Sequence, residues 1–434
     1  MKIGLLLALG SAFAACSATA VSFAAEITVT ADRAMRLYPL CSNAVVTVAV
    51  RENGALLRTG RVNVRVTNDG GTEKLAQSAH DLQVANPFSL EVGMRKPGFA
   101  FVEATLEGTE TSGRANLGFE IERISAVRPE PADFDAWWSA QFAEQARLKD
   151  AVTLKPVSDP AWDGRFDYFQ LQVRTIAAEG RTTGFLGIPK NAQKKLPCFV
   201  IVQCAGYGYC APEANFIRED MMTLTLNVHP WDTMAEGYLG FFKKDGKENG
   251  AYMYRGCEAR EKSYFRNAVL GCKTAVDYVI GRSDCSGELF YFGSSQGGGM
   301  GLALGGIFGE RFTAMCIQVP ALCDLFGSEA GRRDGWPGFG ARTKSREMDY
   351  YDAVNWARRV KSPLHFRVGM MDRTCPPSGP MAAYNAVPRS VPKFLSIGTD
   401  WVHGVDWAGT HLGYGFLQNF MDPALRAPYR DYWR

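Results

Sequence analysis

The 434-residue chain has no long basic run: 48 Lys and Arg stand against 45 Asp and Glu, a formal net charge of +3. It therefore lacks the electrostatic footprint of a nucleic-acid-binding module, and no nucleic-acid partner is expected. It has no Cys-x-x-Cys pair and no histidine near a cysteine at zinc-ligand spacing, so no structural metal is expected. No internal repeat or low-complexity tract interrupts it, which sets fibrous chains aside. Past residue 25 no apolar stretch reaches membrane length, so the mature chain is expected to have no membrane span. Histidine is scarce, at five in the whole chain. Any chemistry that needs an imidazole therefore has few candidates.

What is present is an ordinary globular composition, 46% apolar and 21% charged, enough to bury a sizeable core. Met1 to Ala25 carries Lys2, an apolar run and then small residues. That is the layout of a secretory signal peptide cleaved near Ala24 or Ala25, with export to periplasm or medium as the consequence. Two variants stay open: a retained anchor, and lipid attachment at Cys16. Removing Cys16 from the eleven cysteines leaves ten, which could pair in an oxidising compartment or stay as buried thiols.

Two textures divide the chain. Over residues 26–125, EITVTA, AVVTVAVRE, RVNVRVTND, FSLEVGM, GFAFVEATLE and NLGFEIER alternate apolar and polar residues. That is the period of half-buried antiparallel strands. Turn signals at Asn53-Gly54 and Asn68-Asp69-Gly70-Gly71 separate them. The expectation is a β-sandwich of immunoglobulin type, with Cys41 its lone cysteine. After the proline-bearing segment 127–133 the pattern changes. A helix at DFDAWWSAQFAEQARLK, with Asp133 or Asp135 as cap, opens a series of apolar strands alternating with helices. Near-continuous apolar strands imply a parallel sheet covered on both faces, so residues 126–434 are expected to form a doubly wound, mostly parallel α/β unit. Its site should lie at the strand C-termini. The segment 322–359 is too long for a simple connection and is expected to form a partial lid.

The chemistry centres on Gly293-Ser294-Ser295-Gln296-Gly297, a G-x-S-x-G string between the apolar strand ELFYF and a glycine-rich helix. A serine on a sharp strand-to-helix turn needs small residues two away on each side. Serine also needs a base oriented by a carboxylate. Asp372 follows the strand PLHFRVGMM and His403 follows KFLSIG, both where such groups must stand. Asp400, Asp406 and His411 compete for these roles. His80 falls in the β region and His365 in mid-strand. An oxyanion hole needs two backbone N–H groups. Gln296, directly after the serine, and Tyr207, in the Gly206-Tyr207-Gly208 loop, are the candidates.

From about residue 130 onward the chain resembles the acetyl xylan esterase / cephalosporin C deacetylase family of α/β-hydrolases. The resemblance rests on DFDAWW, the 206–208 loop, YRG at 254–256, GSSQGGGM, MDRTCPP and the terminal histidine loop. It implies serine-dependent removal of acetyl groups from sugar hydroxyls, without metal or cofactor. It maps the nucleophile to Ser295, the acid to Asp372, the base to His403 and the oxyanion donors to Tyr207 and Gln296. Three departures stand out: Ala205 replaces the family's histidine before Gly206-Tyr207, Asn227-Val228-His229-Pro230 replaces its arginine–glycine motif, and a β region precedes the catalytic part.

The expected partner is an acetylated oligosaccharide or small acetylated molecule, with oligomeric state open. Trp231, Tyr209, Tyr252 and Trp401, beside the candidate loops, could pack against sugar rings or simply fill the core. Another serine hydrolase, glucuronoyl-type esterase or peptidase, is the alternative reading. An inactive carbohydrate-binding homologue is a third.

Overall fold

The computed structural model describes residues 25–158, 160, 162–206, 218–403 and 416–422. The expected signal peptide and Cys16, Tyr207, Tyr209, Cys210, Asp406 and His411 lie outside the described residues. Among the described residues no helix is long and apolar enough to cross a membrane.

The first region holds strands β1 (Glu26–Ala31), β2 (Leu37–Tyr38), β3 (Asn43–Glu52), β4 (Ala55–Leu56), β5 (Arg61–Asn68), β6 (Lys74–Asp81), β7 (Phe88–Gly93), β8 (Gly98–Leu106) and β9 (Ser112–Phe119). One sheet pairs β1, β4 and β7 with β3. The other runs β2-β9-β8-β5-β6, antiparallel throughout except where β2 meets β9. Val46, Val48 and Val50 of β3 meet Val62, Val64 and Val66 of β5, Val102 and Leu117 in one core. Alternation explains the arrangement, since every second residue of β5 is buried. β6 escapes that pattern because half of it faces water and it carries no large apolar residue beyond Leu75.

The second region is built on β10 (Val152–Val157), β11 (Phe166–Arg174), β12 (Arg181–Pro189), β13 (Leu196–Val202), β14 (Met222–Leu226), β15 (Cys285–Ser294), β16 (Phe312–Gln318), β17 (Leu364–Gly369) and β18 (Lys393–Gly398). They form one sheet in the order β10-β11-β12-β14-β13-β15-β16-β17-β18. Pairing is antiparallel from β10 to β14 and parallel from there on. Helices α1 (Phe134–Gln145), α2 (Tyr238–Asn249), α3 (Tyr264–Ile280), α4 (Gln296–Phe308), α5 (Phe339–Arg342), α6 (Ala353–Ala357) and α7 (Ser378–Ala386) accompany it. The strand order reverses around β13: the chain adds β14 on one side of it and then crosses to add β15 on the other. That is the switch point where open α/β sheets bind ligands.

Asp133 stands at the N-cap of α1, but its carboxylate caps nothing. It accepts hydrogen bonds from Tyr350 and Arg260 instead. The 322–359 segment is packed: Trp138 Nε1 donates to Tyr350 O at 3.1 Å, and Arg128 reaches Asp349 at 3.1 Å. Among the described residues no disulfide joins Cys41, Cys198, Cys257, Cys272, Cys285, Cys316, Cys323 or Cys375 to another. Cys41 and Cys204 are exposed and the rest are buried.

Candidate active site

Ser295 sits between β15 and α4 with φ 57° and ψ −120°, a backbone conformation that costs a non-glycine residue on the order of 1–3 kcal/mol. The surroundings hold it there. Its N–H donates to Gln318 O at 3.0 Å, and its carbonyl accepts from Gly299 N–H at 3.1 Å and Ala321 N–H at 2.8 Å. The flanking glycines follow from close approach. A Cβ on Gly297 would lie 2.0 Å from Val202 O, and one on Gly293 would lie 2.4 Å from Gly297 O.

His403 follows β18. Its Nε2 is 3.1 Å from Ser295 Oγ and its Nδ1 is 2.9 Å from Asp372 Oδ2. A carboxylate only accepts, so Nδ1 carries the hydrogen and the Nε2 lone pair is left to face the serine hydroxyl. Asp372, past the end of β17, is 2% exposed. Its other oxygen accepts from the N–H groups of Thr374 at 2.8 Å and Cys375 at 2.9 Å. The structure thus brings Ser295, His403 and Asp372 into one hydrogen-bonded run.

The described competitors stand elsewhere. Asp400 pairs with Arg36 at 2.9 Å, its side chain 74% exposed. His80 stacks on Phe88 and bonds Ser78. His365 bonds Ser396 at 2.8 Å, with burial pushing its pKa down to about 4.

Gln296 opens α4, where the first N–H groups have no intrahelical acceptor and the helix dipole favours negative charge. Its side-chain oxygen accepts from Tyr252 OH at 2.5 Å. Tyr207 lies outside the described residues, but its neighbour Gly206 is held by His229, whose Nε2 is 2.6 Å from Gly206 O. Burial pushes His229 down to about 4, so the imidazole is neutral. Nε2–H donates to the carbonyl, and Nδ1 accepts from Tyr264 OH at 2.8 Å. In the sequence His229 stood out only as part of the Asn227-Val228-His229-Pro230 departure, with no role assigned to it. Its one signal is a histidine directly beyond an apolar strand.

Of the aromatic candidates, Tyr252 is buried beneath Gln296, and Trp231 packs on His229 and Phe242. Trp401 lies 4.4 Å from the Arg367 guanidinium and its carbonyl takes Met371 N–H at 3.0 Å.

One further group borders the serine. Cys375 Sγ is 3.9 Å from Ser295 Oγ, and burial pushes this thiol well above its ordinary pKa. Among the described residues, Asp372, Cys375 and His403 offer ligand atoms within 4.8 Å of one another and could hold a metal ion. Two of those side chains are engaged with each other, and the third is a protonated thiol.

A family model described as acetyl xylan esterase matches residues 117–327 and 342–404. The chain belongs to the acetyl xylan esterase family. It is a carboxylic ester hydrolase, and acetyl-ester cleavage is the activity that this membership supports. The acetyl esterase Axe7A of Xylanibacter ruminicola is 30% identical over 312 residues, 68% of each chain. Acetyl xylan esterase 1 from a Thermoanaerobacterium species superposes with TM-score 0.58 at 19% identity, covering 70% of this chain and 98% of that one. The acetyl xylan esterase from Paenibacillus sp. R4 gives 0.57 at 20% identity, covering 69% and 98%. Likeness at that identity carries the fold: an α/β-hydrolase with a mostly parallel central sheet, as in other members of the acetyl xylan esterase family.

Proposed function

We propose that the chain is an exported serine esterase that removes acetyl groups from acetylated carbohydrates such as xylan fragments. Ser295 Oγ attacks the acetyl carbonyl carbon while His403 Nε2 takes the hydroxyl proton. The oxyanion that forms receives hydrogen bonds from the N–H groups of Gln296 and Tyr207. The bond to the sugar oxygen then breaks, His403 returns the proton to that oxygen, and an acetyl–serine ester remains. Water repeats the sequence and releases acetate. Asp372 holds the imidazole tautomer and faces the charge that develops on it.

The observation that carries this reading is the hydrogen-bonded run Asp372–His403–Ser295, ending on a serine with strained backbone at a strand-to-helix turn. The names of the relatives, acetyl esterase and acetyl xylan esterase, support the acyl group and the sugar. The organisation goes with the same proposal. Residues 1–25 are a signal peptide, 26–125 an immunoglobulin-like sandwich and 126–434 the catalytic unit. The segment 322–359 is a partial lid, supported by its start directly after Ala321, whose N–H donates to Ser295 O.

The test is acetate release from acetylated xylo-oligosaccharides and an aryl acetate by wild type and Ser295→Ala. Turnover is expected to fall by about 10³-fold or more in the variant. Equal release by both removes Ser295 from the mechanism. Release by neither turns attention to glucuronoyl esters and peptides.

A further inference from the structure

We infer that the N-terminal β region positions the catalytic acid, with Asn116 and Asp69 as positioning residues that act on Asp372 through the loop carrying it. This rests on the reading of Asp372 as the acid that orients His403.

Asp372 is borne on the connection between β17 and α7, and a connecting segment is the least precise place for a group that must be held to a fraction of an ångström. On one side the loop is tied into its own sheet: Met370 N–H donates to Gly398 O at 2.9 Å and Met371 N–H to Trp401 O at 3.0 Å. The other side is held from outside the hydrolase region. Asn116, on β9, donates from Nδ2 to Met370 O at 2.5 Å. At the far end of the loop Ser378, the first residue of α7, donates from Oγ to Asp69 Oδ2. Asp69, just past β5, is itself tied down, its carbonyl accepting from Arg333 Nε at 2.6 Å. Asn116 and Asp69 are each 5% exposed and Ser378 is fully buried. Arg373, next to the acid, stands 4.7 Å over the Phe101 ring of β8. Asp372 therefore sits between two buried anchor points, both supplied by the β region.

Burial makes these anchors selective. A hydrogen bond in a low-dielectric seam is strong when aligned, and a buried polar group that loses its partner carries the full desolvation penalty. Each anchor thus penalises loop positions that break it, and the positions left keep Asp372 under His403 Nδ1. Ser295 Oγ meets Cys375 and His403 and neither of these two residues, so the effect should fall on turnover and spare substrate binding.

The test compares full-length wild type, Asn116→Asp, Asn116→Ala, Ser378→Ala, Asp372→Asn, the double variant Asn116→Asp/Asp372→Asn, and Ser295→Ala on an aryl acetate. Asn116→Asp keeps the side-chain volume while removing the donor that Met370 O needs. Its kcat is expected to fall about 10- to 100-fold, the scale of a small misplacement of a reacting group, with KM within about twofold. In the Asp372→Asn background the same change should cost nothing further, because the group it positions is gone. Loss of stability alone would not produce that cancellation. The inference is overturned if kcat stays within twofold in the 116 and 378 variants, or if the loss is the same with and without Asp372. It is equally overturned if every variant at these two positions fails to fold, which assigns the contacts to stability. Wild-type turnover in Asp372→Asn or Ser295→Ala instead breaks the triad reading. Collapse of those two beside unaffected 116 and 378 variants breaks only the positioning role.

Discussion

A strand of the N-terminal sheets has one wet face and one dry face, whereas the central strands of the nine-stranded sheet are dry on both. β5 alternates exposed and buried residues along its length, while β14 and β17 are buried at every position. In the first region a polar side chain can turn to water, and the core is built of valine, alanine, leucine and phenylalanine with Ile27 and Tyr38. In the second a polar group inside must find a partner, and each one found is a fixed geometry: Thr175 with Asn267 at 2.6 Å, Arg266 with Gln141 at 2.9 Å, His229 between Tyr264 and Gly206. Reactive groups need such fixed positions. They stand where buried strands end, because there a side chain can be desolvated and still aimed at an opening.

Four substitutions probe that contrast. Gly297→Ala comes first: its new methyl group would meet Val202 O at 2.0 Å. A loss of about 3 kcal/mol or more in a denaturant melt is expected, with turnover lost alongside. A variant of near wild-type stability would show that the dry sheet can yield.

Second is Asp69→Asn, at the seam between the regions. Burial pushes the Asp69 carboxyl up to about 6 against the pull of Ser378, Arg332 and Arg333. A carboxyl raised above its ordinary value favours the folded state at low pH, and that advantage drains away as pH rises from about 4 to about 6. The asparagine does not titrate. Its stability relative to wild type should therefore climb by up to about 3 kcal/mol between pH 4 and pH 7. A difference independent of pH sinks the idea of a buried ionisable carboxyl there.

Third, Gly54→Ala in the wet hairpin introduces a Cβ with nothing within 4 Å, at φ +80°. Only left-handed strain remains, about 1 kcal/mol in the same melt. A cost rivalling that of Gly297→Ala would erase the distinction between the regions. Smallest is Asp400→Asn, which breaks the pair between the exposed Asp400 and the largely buried Arg36. Less than about 1 kcal/mol is expected, with acetate release within twofold of wild type. A large loss of turnover would return Asp400 to the candidates for the acid.

The same contrast explains what could be read in advance. Alternation exposed six of the nine β-region strands; it missed the two-residue β2 and β4, too short to show a period, and β6, whose residues Lys74–Asp81 offer no apolar rhythm. Among the hydrolase strands, β10 to β12 were not singled out. β10 is largely exposed and broken by Pro156, and β12 carries Gly184 and Gly187, which read as breakers although they lie in mid-strand. Ser295, Asp372 and His403 were legible together because each follows an apolar strand in the order a triad on this fold requires. His229 and Asn116 were not. Each holds a main-chain carbonyl, of Gly206 and Met370, brought to it by tertiary folding, and no sequence spacing encodes such a meeting.

That preference for main-chain acceptors recurs along the seam. Asn68 and Thr72 reach Gly331 O at 2.8 and 3.0 Å, and Arg36 reaches Thr399 O at 3.2 Å, just as Asn116 takes Met370 O. A carbonyl is the same atom whatever side chain its residue carries. The bonds themselves therefore make no demand on the loop side chains, and what restricts those positions is space: a Cβ on Gly331 would lie 2.8 Å from Thr72 Oγ1, and Met370 is fully buried. For protein engineering the junction behaves as a socket: a transplanted β region would need the carbonyls of residues 331, 370 and 399 presented at the same places and the Ser378 hydroxyl facing its acceptor.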